Sequence, residues 1–231
     1  KREEALKLAD EFLRSAYVHI LGYLNPAQSG WHTKTIEELA EARKGSIRSG
    51  PFGSALKHSE FVDEGIAVLG IDNAVQNKFA WAGRRFITPE KYEQLERYRV
   101  YPNDVIITIM GTTGRSAVVP ADIPLSITTK HLATITCNAK LIHPEVLSYA
   151  IHSDPVIIQQ IQAYNKGAIM DGLNLGIIRK LDINLPPMDE QMRFVSILKS
   201  VRKFQERTST PEMNGSDLFA SLSQRAFRAE L

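Results

Sequence analysis

Cysteine is nearly absent. Cys137 stands alone in 231 residues, so neither a disulfide framework nor a cysteine-rich zinc site can be assembled. Apolar runs fall far short of the roughly 20 residues that cross a bilayer. No basic-then-apolar leader opens the chain, and a soluble, cytoplasmic, non-membrane protein is expected. An excess of one charge is also missing. The 28 Lys+Arg and 26 Asp+Glu leave a net charge of +2, which excludes a polycation but leaves room for a local basic face.

The motifs of common enzymes are missing too. No Gly-Lys dipeptide occurs, so no P-loop cradles a triphosphate. No Gly-x-Gly-x-x-Gly follows a strand, so no Rossmann-type cofactor loop is visible. The acidic-x-Lys signature of metal-dependent restriction nucleases does not occur. Asn184-Leu185-Pro186-Pro187-Met188 approximates the Asx-Pro-Pro-aromatic motif of amino-methyltransferases. However, Leu185 intervenes, and Met188 stands where an aromatic must hold a flipped base. The six histidines are scattered, with His143 and His152 nine residues apart and no partner ligand nearby. No Gly-x-Ser-x-Gly elbow is present. A binding function without a catalytic centre or bound metal is expected.

The chain opens on Lys1 inside a helical pattern and is expected to be a fragment or processed product. Residues 1–22 read as a helix, because Leu6, Ala9, Leu13, Ala16 and Ile20 step by 3, 4, 3 and 4, a coiled-coil seam. Leu8 and Phe12 widen that stripe toward more than one neighbour. From residue 23 to 187 the texture is broken. Thr35 with Glu38 caps a short helix, Gly45–Ser54 reads as irregular, and Ile66–Ile71, Val105–Ile109, Ala117–Val119 and Leu132–Thr136 have strand composition. Thr88-Pro89 opens a helical run to Arg99, a helix pair spans 143–164, and Asp182–Leu185 is a last strand. Residues 188–231 return to helix, with a loop near 208–215. Phe194, Ile197, Val201 and Phe204 repeat the 3, 4, 3 step, as do Phe219, Leu222, Ala226 and Ala229. At an offset of 210, Leu8, Phe12, Ala16, Tyr17 and Leu21 match Leu218, Leu222, Ala226, Phe227 and Leu231. That match fits either chance likeness of amphipathic helices or a true repeat. The fold class is α+β with long flanking helices.

Two loops combine glycine, hydroxyls and cations. In Arg48-Ser49-Gly50-Pro51-Phe52-Gly53-Ser54-Ala55-Leu56-Lys57, glycine lets backbone approach a surface. There Arg48, Ser49, Ser54 and Lys57 suit phosphates. In Gly111-Thr112-Thr113-Gly114-Arg115, the residues Thr112, Thr113 and Arg115 suit a phosphate or a guanine edge. Both loops also read simply as tight turns whose glycines supply positive φ. Lys130 with His131, and Lys166, are marginal cations. Asn73 and Gln76 carry amides able to read adenine or to cap a loop. Trp81 with Arg84 and Arg85 fits a nucleic-acid surface or a half-buried aromatic beside solvated charge.

Three stretches together resemble a known family: Ile47–Lys57; Asn103-Asp104-Val105-Ile106-Ile107 running into Gly111–Arg115; and Leu185-Pro186-Pro187-Met188-Asp189-Glu190-Gln191. With Arg2-Glu3-Glu4-Ala5-Leu6 and Gln224-Arg225-Ala226-Phe227, the chain resembles the specificity subunit of type I restriction–modification enzymes. The likeness covers one target-recognition domain, residues 23–187, with its helical spacers.

The resemblance implies antiparallel coiled-coil-like spacers and a non-catalytic subunit that reads half of a bipartite site in double-stranded DNA. It implies docking to methyltransferase (modification) subunits, and to restriction subunits through the complex. S-adenosylmethionine and ATP then belong to those partners, and this chain binds no cofactor. Leu6, Leu13, Phe194, Val201, Leu222 and Phe227 are the candidate partner-interface residues. A complete subunit holds two recognition domains, so the chain is expected to be the second half of a longer subunit or a natural half-subunit that dimerises. A helical scaffold that binds protein without reading DNA is the alternative, distinguished by salt-dependent DNA binding.

Overall fold

The computed structural model describes residues 1–21, 31–75, 77–165 and 172–209. Gln76, Lys166, the loop expected beyond Ser209, and the last helix with Leu222 and Phe227 lie outside the described residues. The helices are α1 (Arg2–Ile20), α2 (Ile36–Leu39), α3 (Pro89–Leu95), α4 (Pro144–Ser153), α5 (Pro155–Asn165), α6 (Leu175–Arg179) and α7 (Met188–Ser209). The strands are β1 (His32–Thr35), β2 (Ile47–Ser49), β3 (Ile66–Leu69), β4 (Ala74–Val75), β5 (Lys78–Phe79), β6 (Phe86–Ile87), β7 (Val105–Thr108), β8 (Ser116–Val118), β9 (Ser126–Thr128), β10 (Leu132–Ile135) and β11 (Asp182–Leu185). The chain divides into two compact units, Lys1–His32 with Asn184–Leu231, and Thr33–Ile183.

The first unit is built on α1 and α7. The Gln205 side-chain amide donates to the Asp10 carboxylate at 2.7 Å. Tyr17 meets Phe194 edge-on, with ring centroids 5.2 Å apart at 74°. Position therefore rises along α1 as it falls along α7, and the pair is antiparallel. The α7 row Phe194, Ile197, Val201 and Phe204 is buried. The buried row of α1 is Ala5, Ala9, Leu13, Tyr17 and Ile20. It keeps Ala9, Leu13 and Ile20 of the expected seam, while Leu6 and Ala16 are only half-buried and Ala5 and Tyr17 take their place. Tyr17 decides the rotation, because its ring fills the space over Phe194. Leu13, Phe194 and Val201 are thus occupied within the chain itself, which corrects their assignment to a partner-facing surface. Leu6 remains half-exposed.

In the second unit, β2-β10-β7-β8 form an antiparallel sheet, β6-β3-β9 a mixed sheet in which β3 and β9 run parallel, and β4-β5 a hairpin. Strand β3 feeds two apolar clusters. Leu69 joins Ile106, Ala117, Val119 and Leu132, while Val68 joins Ile87, Leu95 and Ile127. Alternation of side chains along the strand sends neighbours to opposite faces. The capping box of α2 is formed, with the Thr35 N–H donating to the Glu38 carboxylate at 2.8 Å and the Glu38 N–H to Thr35 Oγ1 at 3.3 Å. Residues 47–49, expected to be irregular, form β2 instead. The open edge of β10 pairs Ile47 with Ile135 and Ser49 with Ala133. The ends of this unit meet, since the Ile36 N–H donates to the Leu181 carbonyl at 3.0 Å. No helix among the described residues is long and apolar enough to cross a membrane.

Candidate nucleic-acid interface

Strands β2 and β7 both run opposite to β10, so their C-terminal ends lie beside its start. Strands β3 and β9 run parallel, and the end of β9 leads through Thr129–His131 into β10. Four strands therefore release their loops at one edge. Backbone bonds fasten them together: Gly50 N–H to Leu132 O at 3.2 Å, Thr129 N–H to Leu69 O at 2.8 Å, and Ile109 N–H to His131 O at 2.9 Å. At Gly50 a Cβ would lie 2.2 Å from the Thr129 carbonyl oxygen, so only glycine permits that approach. At Gly111 a Cβ would lie 4.0 Å from Ile71 Cδ1, and its φ of +78° suits glycine. The 50–57, 70–72, 109–115 and 129–131 loops thus form one patch. Between the 50–57, 70–72 and 129–131 loops sits a cavity of about 390 Å³, walled by Pro51, Leu56, Phe61, Ile71, Asp72, Arg85, Lys130 and His131 among others.

The Gly111–Arg115 turn is held from below. The buried Thr108 hydroxyl donates to the Thr112 carbonyl and accepts from the Arg115 N–H at 3.0 Å, while Gly114 N–H donates to Thr108 O at 3.0 Å. The turn therefore presents Thr112 and Arg115 outward, both exposed, with Thr113 partly so. Ser54, Lys57, Lys130 and Arg84 are also exposed, and Ser49 is half-exposed at the end of β2. Arg115 and Lys130 make no ion pair among the described residues. Burial, then the neighbouring Lys130 and Arg85 charges, hold the His131 pKa below its ordinary value.

Two expected DNA ligands are structural instead. Arg48 is buried and pairs with the fully buried Asp104. It also donates to the carbonyls of Arg99 at 2.9 Å and Gly45 at 3.0 Å, and to Thr136 Oγ1 at 3.0 Å. Four of its five N–H donors are thus engaged, and its burial keeps the guanidinium from a phosphate. Asn73 is also buried; its Oδ1 accepts from Gly70 N–H and its Nδ2 donates to Ala80 O, each at 2.8 Å. Its amide closes a turn and reads no base. Conversely, Asp72, His58 and Phe61 line the patch although no local signal marked them. They follow apolar strands or short turns, and only the fold brings them to this edge. No group of three or more His, Cys, Asp or Glu able to hold a metal exists among the described residues.

Residues 28–211 match the family model described as type I restriction modification DNA specificity domain. The chain belongs to that family. It is 26% identical over 174 residues to the type I restriction enzyme EcoBI specificity subunit of Escherichia coli, covering 74% of this chain and 36% of that one. Its fold matches a chain solved in work on complex assembly and conformational transition of the type I R-M system (TM-score 0.63, 18% identity, 100% of this chain and 54% of that one). It also matches the HsdS subunit of Thermoanaerobacter tengcongensis (TM-score 0.57, 17% identity, 100% and 53%). The chain thus spans about a third of the curated relative and about half of the solved chains. The family description concerns DNA specificity and names no reaction.

Proposed function

We propose that this chain reads one half of a bipartite site in double-stranded DNA as the specificity component of a type I restriction–modification complex. The observation that supports this reading is the convergence of four strand ends in a family-matched unit, whose loops carry the exposed Ser54, Lys57, Thr112, Arg115 and Lys130, with Arg115 and Lys130 free of ion pairs among the described residues. Phosphate contacts set the register of such a patch, and contacts to base edges supply sequence. The chain's own residues recognise. Methyl transfer from S-adenosylmethionine and ATP-driven restriction belong to partner subunits in this reading, and the chain itself holds no cofactor.

The near-neutral net charge means that isolated affinity is weak and salt-dependent, with Kd near the non-specific range of about 10⁻⁴–10⁻⁶ M. Titration of duplex DNA at several salt concentrations tests the assignment. Lys130→Ala, as a phosphate contact, weakens binding on every sequence and lowers the salt slope by about one. Arg115→Ala, as a base contact, costs about 1–3 kcal/mol at one base pair. If both variants bind as the parent does, the patch is not the DNA face.

A further inference from the structure

Asp72 and Arg85 face each other across the patch, one from the turn after β3 and the other from the segment entering β6. Their side chains form an ion pair yet each keeps about a third of its surface, 33% and 32%. Most of the other described ion pairs are either more open or more sealed. Two glycines fix this one. At Gly70 a Cβ would lie 2.4 Å from Arg85 Nη2, and at Gly83 a Cβ would lie 2.5 Å from Asp72 Oδ2. The backbone packs so closely on both members that neither turn accepts a side chain while the pair stays where it is. Arg85 Nε is buried without a hydrogen-bond partner, and among the described residues the guanidinium's one hydrogen bond runs from Nη2 to Asp72. The part-exposed guanidinium thus keeps terminal Nη donors beyond that bond, next to a part-exposed carboxylate with a second acceptor oxygen.

That arrangement matches one base-pair edge. In the major groove, guanine presents O6 and N7 as acceptors, and its paired cytosine presents the N4 amino donor beside them. A cation and an anion held in contact meet this acceptor–donor sequence with both charges satisfied. We propose that the Asp72–Arg85 pair reads a G·C base pair of the target, Arg85 donating to guanine and Asp72 accepting from the cytosine amino group. The proposal rests on the DNA-reading function above and adds the residues and the base pair.

The test is selection of bound duplexes from a randomised pool by the full chain assembled with its modification subunit, using the parent, Arg85→Lys and Asp72→Asn. Arg85→Lys keeps the charge and the pairing but loses the two-pronged donor. The expected result is a fixed G·C in the parent selection that relaxes by about tenfold or more in both variants, with every other position and the salt slope unchanged. Thermal melting within a few degrees of the parent confirms that a variant is folded; should Asp72→Asn melt early, Arg85→Lys alone decides. Retained G·C preference in a folded Arg85→Lys overturns the proposal, as does relaxation at an A·T position. Uniform loss on all sequences with a shallower salt slope also overturns it, in favour of a phosphate contact. A parent selection with no preferred sequence sinks the recognition function itself and is thereby distinct from failure of this pair.

Discussion

Arg48 and Asp104, 56 residues apart, form an ion pair sealed inside the recognition unit. Burial raises the Asp104 carboxyl pKa, while the Arg48 charge, the Thr136 hydroxyl and the Tyr101 N–H pull it down. Arg48→Ala leaves that carboxylate without its counter-charge in the core. We expect a loss of about 3–5 kcal/mol in denaturant unfolding, with the salt dependence of DNA binding by the folded fraction unchanged. A stable variant with a shallower salt slope would return Arg48 to the DNA face.

Thr108→Val keeps the volume at a fully buried site but removes the hydroxyl that both donates to Thr112 O and accepts from Arg115 N–H. The expected destabilisation is about 1–3 kcal/mol. Hydrogen exchange at the Arg115 amide should quicken selectively. Unaltered protection there would show that the turn holds itself.

The helix pair should respond at Val201, which is 2% exposed. Val201→Asp places a charge without a partner in the α1–α7 seam and should cost roughly 3–5 kcal/mol if the site stays closed. Leu6→Asp, at a half-buried position, should cost much less. Equal thermal melting of the two variants would contradict the rotation assigned to α1.

Cys137 is buried, and burial followed by the nearby Asp104 and Glu41 charges pushes its thiol well above the ordinary value. Native protein should resist thiol alkylation at pH 8 and react only on unfolding. Rapid labelling of the native state would mean that the β10 end opens.

His131 carries two opposite pH effects. Its folded pKa lies below the ordinary 6.5, so its contribution to stability is present above that value and lost as pH falls through the folded pKa. Phosphate at the patch favours the protonated ring, so DNA binding takes up a proton and tightens as pH falls through the ring's pKa in the complex. His131→Gln should flatten both slopes. Parallel profiles for parent and variant would place DNA away from His131.

The long helix α7 was legible, since Phe194, Ile197, Val201 and Phe204 have the size to declare a row. Helix α1 was legible as a helix, and Ala9, Leu13 and Ile20 of its seam were legible too. Its exact rotation was not, because Ala5 weighs little against Leu6 in any periodic reading; the ring contact of Tyr17 with Phe194 settled it. Strands β4, β5 and β6 span two residues each, too few to show a period. The two glycine loops were visible as loops, and their residues do gather at one edge. Arg48 and Asn73 misled because sequence marks a polar group beside a turn without saying which way it points. Asp104 lies too far along the chain to announce its claim on Arg48. Asp72 gave no signal because an acid argues against a basic face until its cation is seen beside it.

Strand β10 touches both β2 and β7, and the carbonyl of its first residue holds Gly50. One strand therefore sets the height at which several loops stand. A slip of β10 by one residue would displace them all at once and turn its buried face outward, so strand changes are filtered out as folding failures before they can alter which DNA is chosen. Exchange of a whole turn such as Gly111–Arg115 leaves that ladder intact. New target preferences in this lineage are expected to travel as exchanged loops on an inherited sheet, each loop answering for its own base pairs.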